Sequence, residues 1–253
     1  GTELDFIQVH RGLDDGVEFF GGAADISNVI VDGMGDDGID WDQGYVGAIT
    51  NFISHHYAGS SDDPRGIEAD NAGSNTNLEP RSNPIVTNGT IVANVGASHD
   101  QGIVLRRGTW GTLSNIVVAN YDTAAGIDIR DDGWDAPTGG WPSELSITAT
   151  CAWQNGVNSG SPLITDYPEG TNCGAGNADG DCNDESTENA GTYFAEDTEI
   201  PAQGNTVEDP GFSSESYEAA ATGGTPDYST SNCDGAFADG TDWTEGWTAF
   251  PVD

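Results

Sequence analysis

The residues most able to do chemistry are acidic side chains that crowd into three short phrases in the first third of the chain. The group comprises Asp14, Asp15, Glu18, Asp36, Asp37, Asp40, Asp42, Glu68 and Asp70. Hard cations such as Ca²⁺ take several carboxylate and carbonyl oxygens at once. We therefore predict that calcium binds among these residues, with Asp14, Asp15, Asp36 and Asp37 as the first ligands.

Three other uses of these side chains compete with calcium binding. Glycoside hydrolysis needs two carboxylates with different pKa values that flank the scissile bond. Elimination from a uronate polymer needs a base and a cation that neutralises the sugar carboxylate, which Arg106 or Arg130 could supply. The carboxylates could also be purely structural, capping turns and solvating the surface. An enzyme would rest on Asp36, Asp37, Asp40 and Arg106.

A second candidate calcium site lies between two cysteines in the second half of the chain. Its residues occupy positions 1, 3, 5, 7, 9 and 12 of a loop of the EF-hand type: Asn177, Asp179, Asp181, Asn183, Glu185 and Glu188. The sixth position, where an EF-hand has glycine, is Cys182. The pattern therefore predicts a disulfide-closed calcium loop, with an acidic surface loop as the alternative.

The charge balance excludes several kinds of partner. The chain of 253 residues has 43 acidic and six basic side chains and a formal net charge of −37. Binding to nucleic acid or to an anionic membrane surface needs cations, so neither is expected. No apolar run is long enough to insert into a membrane. The length is sufficient for one domain with a sizeable core.

Four cysteines point to an oxidising compartment. An even number of cysteines in a chain without lysine suits a secreted protein with two disulfides. Three pairings are possible, and we favour Cys173–Cys182 because it closes the shortest loop.

The elements that must position these residues follow from a repeated phrase. Asp14–Gly22 reads D-D-G-V-E-F-F-G-G, and similar phrases return at Asp36–Gly44, Arg65–Asn71, Gln101–Gly108 and Ala125–Gly133. A fixed order of phrases with variable connections predicts a solenoid, in which each coil stacks on its neighbours. Alternation within the phrase predicts one inward file of side chains: Phe19, Trp41, Ala69, Leu105 and Ile129.

A second phrase alternates with the first and begins at Ile26, Ile49, Val86 and Leu113. It aligns four asparagines at one position: Asn28, Asn51, Asn88 and Asn115. We predict that they form a ladder in which each amide bonds the equivalent amide one coil away. We also predict a column of salt bridges on the outside that joins Asp42 and Asp70 to Arg106 and Arg130.

These phrases resemble a known group of proteins. G-D-D-G-I-D-W-D-Q-G-Y, R-G-I-E-A-D-N and G-I-V-L-R-R-G-T, with the ending D-W-T-E-G-W-T-A-F, are similar to secreted or surface lipoproteins of marine and Bacteroidota-type bacteria within the pectate-lyase-like superfold. The resemblance covers residues 4–133 and 233–250. It implies a right-handed parallel β-helix outside the cell and no settled activity. The segments G-H-G and R-I-K of polygalacturonase-type β-helix hydrolases are missing.

The combined prediction is an all-β protein with coils over residues 1–150 and an irregular, disulfide-bearing C-terminal segment over 151–253. We expect an extracellular structural or binding protein that calcium stabilises and that associates head to tail with its own copies. The alternative is a lyase or hydrolase acting on an acidic polysaccharide. Trp243 and Trp247 are candidates for sugar stacking or for stapling an end of the solenoid, and His55 with His56 is a weak candidate metal pair.

Overall fold

The computed structural model describes residues 1–59, 64–96, 99–121, 126–129, 145–155, 164–166, 204–206, 208–213 and 216–252. Thirteen strands lie in this part: β1 Glu3–His10, β2 Val17–Gly22, β3 Asp25–Asp32, β4 Ile39–Tyr45, β5 Ala48–His56, β6 Ile67–Ala69, β7 Ile85–Ala93, β8 Ile103–Leu105, β9 Gly111–Ala119, β10 Ile127–Ile129, β11 Leu145–Thr148, β12 Cys151–Trp153 and β13 Ile164–Asp166. Two 3₁₀ helices follow, Ser216–Thr222 and Gly235–Phe237. The described residues include no helix that is long and apolar enough to cross a membrane.

The strands alternate between two parallel sheets, so each turn of the chain adds one strand to each. The long-strand sheet has the order β1-β3-β5-β7-β9-β11, with β12 also paired to β9, and the short-strand sheet has the order β13-β10-β8-β6-β4-β2. This is the right-handed parallel β-helix that the repeat and the resemblance predicted. The coils continue beyond residue 150, because β12 and β13 extend both sheets.

The register of the short strands confirms the predicted inward file. Phe19 pairs with Trp41, Trp41 with Ala69, Ala69 with Leu105, and Leu105 with Ile129. Trp41, Ala69 and Leu105 are completely buried in the interior of the coil. A glycine precedes each of these strands, because a side chain at that position would clash with the carbonyl oxygen of the equivalent glycine in the next coil. A Cβ on Gly66, for example, would lie 2.5 Å from the Gly102 oxygen.

The asparagine ladder is also confirmed. The Nδ2 groups of Asn51, Asn88 and Asn115 donate to Oδ1 of the preceding asparagine at 3.2, 3.0 and 2.9 Å. Asn28 starts the ladder by donating to Oδ1 of Asp5 at 2.8 Å. All four asparagines have φ between 52° and 58°, the left-handed region that asparagine tolerates better than most residues.

The asparagine with left-handed backbone angles bends each long strand and shifts the alternation of inward and outward side chains by one residue. Ile26 before the bend and Val29 after it both enter the main core, although three positions separate them. The ladder therefore sits at a corner of the coil, where each amide is half-buried.

Replacement of Asn51 by alanine tests the ladder. Alanine loses the hydrogen bonds to both neighbouring amides and must keep a φ of 54°, so we expect the free energy of unfolding to fall by about 2–3 kcal/mol. Asn51→Gly is the matched variant, because glycine accepts this φ and lacks only the amide. Urea denaturation of both should place the glycine variant between alanine and wild type. An alanine variant as stable as wild type would contradict the ladder's role.

The C-terminal segment, residues 216–252, covers the outer face of the long-strand sheet. A second hydrophobic cluster joins Ile30, Ile53 and Val117 of that sheet to Tyr217 and Tyr228 of the segment. A disulfide between Cys151 and Cys233 ties the same segment to β12. Cys173 and Cys182, the pair favoured from the sequence, lie outside the described residues.

The tail beyond residue 242 runs along the first coil. The indole N–H of Trp243 donates to the Ala236 carbonyl at 2.8 Å, and that of Trp247 donates to the Trp243 carbonyl at 2.7 Å. Trp247 also packs edge-on against Phe6, with ring centroids 5.4 Å apart. Both tryptophans are therefore engaged within the protein, which favours the stapling role over sugar stacking.

Candidate functional site

The acidic residues predicted from the sequence meet on the outer face of the short-strand sheet. Glu18, Asp40 and Glu68 align in register on β2, β4 and β6. The turns that lead into β2 and β4 carry Asp14–Asp15 and Asp36–Asp37. The coil thus stacks carboxylates at the spacing between parallel strands, about 4.8 Å.

Two of these carboxylates have a clear structural task. Asp15 Oδ1 accepts a hydrogen bond from the backbone N–H of Asp37 at 3.1 Å. Asp37 Oδ1 accepts in the same way from the N–H of Arg65, one coil further on, at 2.7 Å. Each aspartate therefore caps the equivalent turn of the next coil, as the structural interpretation of the acidic phrases predicted.

The carboxylates form three overlapping triads. Asp14, Asp15 and Asp36 form one; Asp15, Glu18 and Asp40 the second; and Asp37, Asp40 and Glu68 the third. Within each triad the three candidate ligand oxygens lie within 4.8 Å of one another. Asp15 and Asp40 each belong to two triads, so the three form one continuous acidic face.

The protein supplies its own cations to one end of this face. Arg65 Nη1 lies 2.6 Å from Glu68 Oε2 and 3.9 Å from Asp37 Oδ2. Arg106 binds Glu68 and also Asp70, whose Oδ1 lies 2.9 Å from its Nε. Asp15, Glu18 and Asp40 make no salt bridge to any residue that the structure describes. The second triad is therefore the least neutralised part of the face.

Burial and mutual repulsion raise the pKa values of these carboxyls. Desolvation, followed by the charges of Glu68 and Asp15, raises the pKa of Asp40 to about 8. Desolvation also raises the pKa of Asp15 to about 6, although the hydrogen bond from Asp37 opposes the shift. The pKa values of Glu18 and Asp37 are raised too, chiefly by burial. The cluster therefore cannot carry all its negative charges at neutral pH without a counter-cation.

The predicted site residues come together only in part. Asp14, Asp15, Asp36, Asp37 and Asp40 lie on one face as expected, and Arg106 borders it through Glu68. The proposed loop of Asn177, Asp179, Asp181 and Glu188 lies outside the described residues, so calcium binding there stays a prediction.

The predicted salt-bridge column is correct at its centre and wrong at Asp42. Arg106 and Arg107 both bind Asp70. Asp42 instead accepts a hydrogen bond from the backbone N–H of its neighbour Gln43 at 2.6 Å. Arg130 lies outside the described residues.

Arg65 is the functional residue that the sequence analysis did not single out. The aligned phrases contained a signal, because Arg65 stands directly before the repeated glycine, where the earlier coils have Asp15 and Asp37. A basic residue in an otherwise acidic column indicates an internal counter-ion.

His55 and His56 do not form a metal pair. His55 lies against the Tyr228 hydroxyl and the Asn94 side chain, and His56 against the Tyr121 hydroxyl and the Asp36 carbonyl oxygen. Burial lowers the pKa values of the two imidazoles to about 3 and about 4. Both are neutral parts of the packing.

Comparison with known proteins agrees with this architecture. The family model described as the pectate-lyase-like β-helix domain matches residues 1–196. The chain belongs to this family. No curated protein and no solved structure was found to match it. The match concerns the domain family as a whole and does not extend to the narrower lipoprotein group. Membership establishes a scaffold rather than a reaction, since one fold hosts many functions.

Proposed function

We propose that this pectate-lyase-like β-helix domain is an extracellular structural or binding protein that Ca²⁺ stabilises at Asp15, Glu18 and Asp40. The observation that carries the proposal is the overlap of the carboxylate triads at Asp15 and Asp40, where no described arginine neutralises them. A divalent cation there would replace the missing positive charge and meet several oxygens at once. It would also stabilise the ionised form of these carboxylates and so lower their raised pKa values.

The Asp37, Asp40 and Glu68 triad is a weaker calcium site. Arg65 and Arg106 already bind Glu68, and a second cation beside two guanidinium groups would be repelled. The ion is therefore expected on the side of the face that is nearer the first coil, with Asp14 and Asp36 as further ligands.

The location outside the cell is supported by the disulfide. Cys151–Cys233 joins residues 82 positions apart, and such bonds persist in oxidising compartments. Head-to-tail association through the first coil stays a prediction. The exposed side chains Leu4, Phe6 and Phe20 are the residues that it would use.

Asp40→Asn tests the calcium site. On protein stripped with chelator, titration calorimetry at pH 8 should give at least tenfold weaker calcium binding for this variant than for wild type. The amide keeps the size of the side chain and removes the charge shared by two triads. Glu245→Gln is the control, because it removes one exposed acidic charge far along the sequence from the cluster. If wild type binds no calcium, or both variants weaken binding equally, the site is not the one proposed.

An enzyme remains the second candidate because of one observation. A carboxyl whose pKa is about 8, as for Asp40, is still protonated near neutrality and could serve as a general acid in glycoside hydrolysis. Elimination is less well supported. Arg106, the predicted cation for the sugar carboxylate, is already paired with Glu68 and Asp70 of the same chain. Release of reducing ends from acidic polysaccharides by wild type and not by Asp40→Asn would favour the hydrolase.

A further inference from the structure

The end of the chain crosses the outer face of the first coil. Residues 247–251, which we call the strap, meet β1 at alternate positions. The pairs are Phe6 with Trp247, Gln8 with Ala249, and His10 with Pro251. Both segments therefore advance in the same direction and with the same period of two residues, as neighbouring parallel strands do. Because 241 positions separate the partners, the tertiary fold alone brings them together.

Gln8 binds the backbone of the strap. Its neighbours Ile7 and Val9 pack against the core, so the Gln8 side chain points outward. Gln8 Nε2 donates to the Ala249 carbonyl at 2.8 Å, and the Ala249 N–H donates to Gln8 Oε1 at 2.9 Å. This reciprocal pair satisfies both polar groups of one peptide residue. Since an amide has no titratable proton, these two bonds do not depend on pH.

His10 holds the strap in a different way, because both of its ring nitrogens face acceptors. Nε2 lies 2.8 Å from the carbonyl oxygen of Pro251, and Nδ1 lies against Oδ1 of Asp32. A backbone carbonyl and an ionised carboxylate can only accept hydrogen bonds. A neutral imidazole has one N–H and could serve only one of these two partners, whereas an imidazolium serves both. The complete set of bonds therefore needs a proton on each ring nitrogen.

Asp32 determines which bond is lost when the second proton leaves. Its side chain is fully buried, and among the described residues His10 makes its one salt bridge. The Tyr57 hydroxyl also donates to Asp32 Oδ1, at 2.5 Å. A buried carboxylate without a donor or a counter-charge is costly. The one N–H of a neutral His10 therefore stays with Asp32, and the Pro251 carbonyl loses its donor.

The other ionisable groups packed around His10 keep their charge between pH 5.5 and 8.5. Burial, followed by the charge of Asp32, raises the pKa of Tyr57 far above its ordinary value. Burial lowers the pKa of His55, which packs edge-on against Tyr57, to about 3. Arg11 lies 5.3 Å from the centre of the Tyr57 ring and keeps its charge as a guanidinium. The strap itself contributes no ionisable side chain.

We propose that residues 247–251 form a pH-sensitive strap, which the protonated His10 holds on the first coil and which loosens when that proton leaves. Release uncovers Phe6 and the part of the second hydrophobic cluster that Phe250 joins on the outer face of the long-strand sheet. The device lies on a different sheet from the acidic face and does not depend on the calcium site.

Fluorine NMR of the whole chain labelled with 5-fluorotryptophan tests the proposal, with chelator present throughout. The Trp247 signal is assigned by its loss in Trp247→Phe. Between pH 5.5 and 8.5 the ratio of released to bound strap that this signal reports should rise at least tenfold. The signal of Trp41, which is completely buried in the coil, is the internal control and should stay in place. Nitrogen NMR should show both ring nitrogens of His10 protonated at pH 5.5.

Two variants separate the roles of the strap's partners. His10→Gln cannot titrate, so its Trp247 signal should not change with pH. If Asp32, left without its cation, prevents this variant from folding, His10→Gln combined with Asp32→Asn replaces it. Gln8→Ala should raise the released share at every pH and keep the pH dependence. A single protonated ring nitrogen on His10 at pH 5.5, a wild-type Trp247 signal that is constant with pH, or a pH step that persists in His10→Gln would each overturn the proposal.

Discussion

Replacing Gly66 with alanine should destabilise the β-helix by about 3 kcal/mol, the upper end of the usual cost of overpacking a core. A Cβ at this position would lie 2.1 Å from Ile91 Cγ2 and 2.5 Å from the Gly102 carbonyl oxygen. The first contact is with a buried side chain and the second with the backbone of the next coil. The Gly102 oxygen cannot move away without opening the hydrogen bond that it accepts from Ile67 N–H, which is 3.0 Å long.

The matched control for this prediction is Gly73→Ala. A Cβ on Gly73 would meet only the end of the Arg107 side chain, at 3.8 Å. That is ordinary van der Waals distance, so the free energy of unfolding should change little. Denaturant titration of both variants measures the difference. If Gly66→Ala were as stable as Gly73→Ala, the close stacking of the glycine column would be wrong.

The stability of the calcium-free protein should fall as the pH rises from 6.5 to 8.5. Folding raises the pKa of Asp40 to about 8, so the unfolded chain has already lost this proton while the folded protein keeps it. A raised carboxyl pKa therefore costs stability progressively until the pH passes the folded value. Over the interval from 6.5 to 8 the loss from Asp40 alone is about 2 kcal/mol. The raised pKa of Asp37 acts in the same direction.

His55 and His56 act mainly below this pH window. Burial lowers the pKa values of His55 and His56 to about 3 and about 4, so their stabilising contribution is lost only as the pH falls through the unfolded value, about 6.5. At pH 6.5 the unfolded histidines are still half protonated, so they offset part of the loss from Asp40 until about pH 7.5 and no longer change stability above it. Thermal melting in chelator should therefore show a decreasing melting temperature across the window.

Calcium and Asp40→Asn should each flatten this pH dependence. Calcium binds the ionised carboxylates, so its stabilising effect grows as protons leave. The asparagine variant has no proton to lose at this position. An apo protein whose melting temperature is constant from pH 6.5 to 8.5 would contradict the charge crowding. A slope that neither calcium nor the variant reduces would place its cause elsewhere.

The sequence alone determined the coil and the layout of its interior. Phe19, Trp41, Ala69, Leu105 and the four asparagines recur at one position in phrases of fixed order, and equivalent positions stack when every coil has the same path. Register in a parallel sheet follows from this repetition, because a shift by one residue would turn the apolar side chains outward. The acidic face was predictable for the same reason, since its residues stand at equivalent places in neighbouring phrases.

Only the tertiary structure decided which of the described carboxylates lack a salt bridge and which segment packs on the outside of the coil. Arg65 neutralises Glu68 and Asp37 because its long side chain extends toward both carboxylates. The alignment of the repeated phrases does not specify this side-chain conformation. The pKa of Asp40 depends on burial and on four carboxylates from different coils. The packing of residues 216–252 on the long-strand sheet joins segments more than a hundred positions apart, outside the repeat. The asparagine corner divides each long strand into two faces, and the described residues of this segment pack on the face that follows the corner.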